Sequence, residues 1–86
     1  MVLRLGMMIK INGQRALYCG KIKTRNFGWK RILYFLDREK FKVQYVGSDF
    51  LKNKVVKDTG YVNKEFAKEQ NILARQREGT REWETE

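Results

Sequence analysis

Asn12-Gly13 stands between two apolar runs, residues 2–11 and 16–23, and constrains the fold more than any other feature of the chain. Both central positions of a type I′ turn need positive φ, which Asn and Gly tolerate, so the pair predicts a tight β-hairpin. Residues 16–23 (ALYCGKIK) form the return strand, in which Gly20 predicts a bulge or a close backbone approach. Residues 24–28 (TRNFG) read as a loop, and residues 29–36 (WKRILYFL), dense in aromatic and branched side chains, as the next strand. One face of that strand carries Trp29, Arg31, Leu33 and Phe35, the other Lys30, Ile32, Tyr34 and Leu36. Both faces are largely apolar, which predicts a central strand buried on two sides.

A charged turn at 37–40 leads into residues 41–46 (FKVQYV), where Phe41, Val43 and Tyr45 share one face. Lys42 and Gln44, opposite them, are expected to face solvent. Gly47-Ser48-Asp49 breaks the pattern. Residues 50–56 (FLKNKVV) then read as a fifth short strand near Val55 or as a hairpin about Lys52-Asn53-Lys54. After Thr59-Gly60 the period becomes helical: Val62, Phe66 and Leu73 fall on one side, with Ala67 and Ala74 beside them. Asn63 is the expected N-cap and Gly79 the expected C-terminal stop. The stripe is narrow, so a helix at about 62–77 is expected over an edge or open end of the sheet. The class is mainly β with one C-terminal α-helix, a small curled antiparallel sheet or barrel of four or five strands, OB- or SH3-like. Residues 1–78 are expected to form a single basic domain, and 79–86 an acidic, flexible tail.

Composition narrows the chemistry. A chain of 86 residues buries only about 60% of its unfolded surface, which leaves room for one core. Cys19 is the single cysteine and there is no histidine, which excludes an internal disulfide, a His/Cys metal site and the Ser-His-Asp and Cys-His triads. Cys19 is expected to be a packed residue in a reducing compartment. Residues 1–11 are apolar, but Arg4 and Lys10 interrupt them and no small-residue cleavage pattern follows, so a leader is not expected. No stretch approaches the length of a spanning helix, and the expected location is cytoplasmic.

The formal charge of +9 is unevenly placed. Residues 1–57 hold fourteen Lys/Arg and three Asp/Glu, net +11, whereas residues 58–86 hold five and seven, net −2. A basic body points to an anionic partner, most often nucleic acid. The segment 21–31 (KIKTRNFGWKR) interleaves Lys21, Lys23, Arg25, Lys30 and Arg31 with Phe27 and Trp29. Cations neutralise phosphates and release counterions, while an exposed ring offers a stacking face worth about 1–3 kcal/mol per base. Phe27 is the more expected contact; Trp29 divides evenly between core and contact. Lys42 would extend the patch, and Lys52, Lys54 and Lys57 form a second cationic cluster that either clamps a phosphate backbone or guards a strand edge. Tyr18 and Tyr34 read as core or edge residues. Asp37 and Glu39, flanked by Arg38 and Lys40, have the setting of exposed ion pairs, so no paired-carboxylate or metal-assisted site is expected. Neither an enzyme nor a cofactor is expected.

Gly20-Lys21-Ile22-Lys23, residues 29–37 (WKRILYFLD) and residues 41–45 (FKVQY) resemble the opening strands of pleckstrin homology domains. The resemblance implies phosphoinositide binding, with Lys21, Lys23, Lys30 and Arg31 as phosphate ligands. About forty residues follow Tyr45, too few for the remaining strands and closing helix of that fold, so the resemblance extends to the hairpin and its anion chemistry. The expected function is a non-catalytic, largely sequence-independent nucleic-acid-binding module. The alternatives are a small regulatory protein, of the kind phages encode, docking its basic face on an acidic protein partner, and a binder of phosphoinositides or anionic surfaces. An open strand edge in so small a sheet leaves room for a homodimer.

Overall fold

A computed structural model describes residues 2–77 of the chain. Five antiparallel strands form one sheet in the order β4-β3-β2-β1-β5, followed by one helix. The strands are β1 (Met7–Ile11), β2 (Gln14–Thr24), β3 (Gly28–Phe35), β4 (Val43–Val46) and β5 (Val56–Val62), and the helix is α1 (Lys64–Arg77). The sheet curls without closing, so β4 and β5 remain as edges. A closed barrel is thereby excluded for this arrangement, while the mainly β class with a C-terminal helix holds.

The Asn12-Gly13 turn has the expected geometry, with φ of 49° and 84°, and Ile11 pairs Gln14 across it. Its role is larger than joining two strands. The Asn12 Oδ1 accepts from the Val55 N–H at 2.9 Å and the Asn12 N–H donates to the Val55 carbonyl at 2.8 Å, which fixes where β5 begins. Gly20 also behaves as expected: it has φ 85° and lies in the bulge where the β2–β3 register shifts between Tyr18 and Lys21.

Several boundaries differ from the sequence expectation. The first strand starts at Met7 rather than Val2, because Gly6 at φ 91° turns the chain beneath the start of α1. A Cβ on Gly6 would come within 2.9 Å of the Lys64 backbone. The fifth strand is not centred on Val55; residues 47–54 make successive turns and β5 follows them. Thr59-Gly60 lies inside β5, in a bulge between the Ile9–Asp58 and Met7–Val62 pairs. There the Thr59 hydroxyl donates to the Met8 carbonyl and the Asp58 carboxylate accepts from Gly60 N–H, each at 2.8 Å. Phe41 does not join the β4 face: it has φ 55° and is 87% exposed.

Both faces of the sheet are buried, as the two apolar faces of residues 29–36 require. On one, Met8, Leu17, Cys19, Ile22 and Ile32 lie under Ala67 and Ala74 of α1. On the other, Ile9, Tyr18, Leu33, Phe35 and Val46 are closed over by Leu3, Phe50 and Leu51. The helix does not sit at an edge. It crosses β2 and reaches β3, because the small Ala67 and Ala74 let it approach the sheet closely. The expected stripe also shifts: Leu73 is largely exposed and Asn71 takes a buried position. The reason is a hydrogen bond, since Asn71 Nδ2 donates to the Cys19 carbonyl at 2.8 Å, beside the Gly20 bulge. Asn63 caps the helix as expected, its Oδ1 accepting from Phe66 N–H at 3.2 Å. The stop at Gly79 and the tail lie outside the described residues.

Candidate nucleic-acid interface

The pairing of β2 with β3 decides which cations share a face. Lys21 stands opposite Arg31, and Lys23 opposite Trp29. Directly opposed residues of an antiparallel pair point to the same side, so Lys21, Lys23, Arg31 and Trp29 form one patch. It lies on the side of Leu33, away from α1. Lys21 and Lys23 are exposed and Arg31 is half-buried. Trp29 is 48% exposed and therefore belongs to the surface with one flank packed.

The turn at residues 25–27 projects beyond this patch. Thr24 ties it down, its hydroxyl donating to the Gly28 carbonyl at 2.7 Å and accepting from Phe27 N–H at 3.1 Å. Phe27 is left 75% exposed at the tip, beside the exposed Arg25. A ring of that size held open by an ordered turn is a ready stacking surface.

Three of the singled-out cations lie elsewhere. Lys30 is paired with Ile22, on the helix side of the sheet, with its ammonium 6.0 Å from the Phe27 ring centre. Lys42 lies just before β4, with its ammonium 5.9 Å from the centre of the Tyr34 ring. Lys57 pairs with Lys10 across β5 and β1, again on the side of Met8. Of the four cations that the pleckstrin-like hairpin implied, three share a face and Lys30 does not.

The cluster at 52–57 divides similarly. Lys52 is 3.1 Å from Asp49 in an exposed ion pair. Lys54 donates to the Phe50 carbonyl at 2.7 Å and covers the Phe50 ring at 3.9 Å, so part of its role is to close the lower core. It nonetheless lines a cleft of about 280 Å³ together with Arg31, Leu3, Leu51 and Val56. Arg31 and Lys54 are thus the point where the two sequence clusters meet.

The Asp37 carboxylate is engaged by Arg15 rather than by its chain neighbours. The Arg15 guanidinium donates to Asp37 through Nε and Nη2, the latter at 2.7 Å, and Arg15 N–H adds a bond at 3.0 Å. These bonds lower the Asp37 pKa to about 2 and raise that of Arg15. Sequence reasoning missed this pair because its members are far apart along the chain; the β2–β3 register brings them together. Burial pushes the Cys19 thiol up to about 12, the opposite of what a nucleophile needs. Among the described residues, no group of three His, Cys, Asp or Glu side chains could hold a metal ion, and no helix is long and apolar enough to cross a membrane.

No family model, no characterised protein and no solved structure matches the chain, so the meaning of this face rests on its own chemistry.

Proposed function

We propose that the chain is a non-catalytic nucleic-acid-binding module. The observation that carries this reading is the β2–β3 register, which gathers Lys21, Lys23, Arg31 and Trp29 on one face behind the exposed Phe27. In this reading the cations neutralise successive phosphates while Trp29 and Phe27 stack on bases. The same contacts exist for any base, so binding is largely indifferent to sequence. A cytoplasmic location accords with this role and with the unpaired, buried Cys19.

Tryptophan fluorescence, titrated with single-stranded and duplex oligonucleotides at two salt concentrations, tests the proposal. About three phosphate contacts give a log–log salt slope of roughly −2 for a single strand. Trp29→Ala should remove the quenching and weaken binding by about 1–3 kcal/mol, with the Trp83 signal subtracted as background. Absence of binding even at low salt would sink the reading. Sedimentation with anionic liposomes, or capture of one acidic protein partner, would then identify what the patch meets.

A further inference from the structure

The helix side of the sheet carries a second feature, independent of the Lys21–Arg31 patch. A groove of about 590 Å³ opens between the first turn of α1 and strands β1, β2 and β5. That is within the size range of small-molecule sites. Its rows are ordered by the strand register. One row across the sheet is Lys57, Lys10 and Arg15, of which Lys10 and Arg15 line the groove and Lys57 stands beside it. The next contains Met8 and Leu17, flanked by Tyr34, and beyond it Phe66 closes the groove, held edge-to-face on Tyr34 at 4.8 Å. Charge therefore sits at one end and apolar surface at the other.

The three cations of the row are not equivalent. Arg15 is held by Asp37. Lys10 and Lys57 are exposed, face each other across the ladder, and have no carboxylate within ion-pair distance among the described residues. Like charges directly opposite repel, so a single anionic group placed over the pair would relieve the row. A nucleic acid, with charge along its whole length, does not match a groove that is cationic only at one end.

We propose that this groove binds an amphipathic monoanion: a carboxylate on Lys10 at its mouth, with Lys57 beside it across the ladder, and an aliphatic chain lying over Met8 and Leu17 toward Phe66. The inference does not depend on the nucleic-acid reading, because the two sites occupy opposite faces.

Calorimetric titration with dodecanoate, below its micelle concentration, tests it. Saturable one-to-one binding is expected, and octanoate should bind at least tenfold more weakly, since about 0.8 kcal/mol is lost per CH₂ removed. K10E and K57E should each weaken dodecanoate about tenfold, the loss of one charge-assisted hydrogen bond, while K21E leaves it unchanged. K10Q provides the same reading should Glu disturb β1. The proposal is overturned if dodecanoate does not bind, if octanoate binds equally, or if folded K10E and K10Q bind as well as the parent. It is also overturned if K21E alone removes binding, or if a single-stranded oligonucleotide displaces dodecanoate and K10E weakens the oligonucleotide.

Discussion

Asp37 illustrates how much one side chain contributes when its partner is remote in sequence. Its carboxylate, with three contacts from Arg15, has a pKa of about 2 in the fold against about 3.9 when unfolded. A depressed acid stabilises the fold above its unfolded pKa and loses that contribution as pH falls through its folded one. The thermal unfolding midpoint of the parent should therefore fall between about pH 4 and pH 2, and Asp37→Asn should flatten that part of the profile. An identical acid limb in both proteins would assign the loss to other carboxylates. Cys19 gives the contrary case of a group silenced by its surroundings. With the thiol raised to about 12 by burial, a disulfide reagent should modify it only as fast as the protein opens, and at once in denaturant. Rapid labelling of the native protein would contradict the packing of this residue.

At the scale of elements, the bulge in β2 and the helix depend on each other. Gly20 displaces the ladder, and beside it the Cys19 carbonyl accepts from Asn71 of α1 at 2.8 Å. Asn71→Ala should cost about 1–3 kcal/mol in urea unfolding, the penalty of an unsatisfied buried acceptor; a change within 0.5 kcal/mol would show that water replaces the amide. This element also marks where sequence reading falls short. Asn12-Gly13, Gly20 and the two faces of β3 were legible, because a turn type, a bulge and a period of two each leave a local signature. The helix face was not. Leu73 counts as apolar and Asn71 as polar in any periodicity argument, yet the fold buries Asn71 for a hydrogen bond and leaves Leu73 outside. Strand β5 was obscured for a related reason. Residues 57–60 (KDTG) lack alternation, and their pairing comes from the distant β1 backbone and the Thr59 hydroxyl.

For the whole molecule, two of the basic clusters lie on opposite sides of one sheet. Segment 21–31 was recognisable as a binding candidate from its basic and aromatic composition. Which of its cations act together was not, since Lys30 and Arg31 are neighbours in sequence and point to opposite faces. The same holds for Lys57, which stands opposite Lys10 across the ladder, whereas Lys54 lies outside the sheet. Separation of the two surfaces predicts independence. K21E with K23E should reduce oligonucleotide affinity, K10E with K57E should not, and the four together should add to within about 0.5 kcal/mol. A larger deviation would mean that one ligand reaches both sides.

The strand order carries a consequence for synthesis. Strands β1 to β4 are joined by successive local connections, but β5 returns to pair beside β1. A chain emerging from the ribosome can therefore assemble the meander early while the outer edge of β1 (MMIKI) stays open. That edge is satisfied only after Val62 emerges, some seconds later at about 5–20 residues per second. Until then the nascent protein presents an apolar, unpaired strand, the kind of surface that recruits chaperones or a second nascent copy. The strand that closes the first is the last of the five to be made.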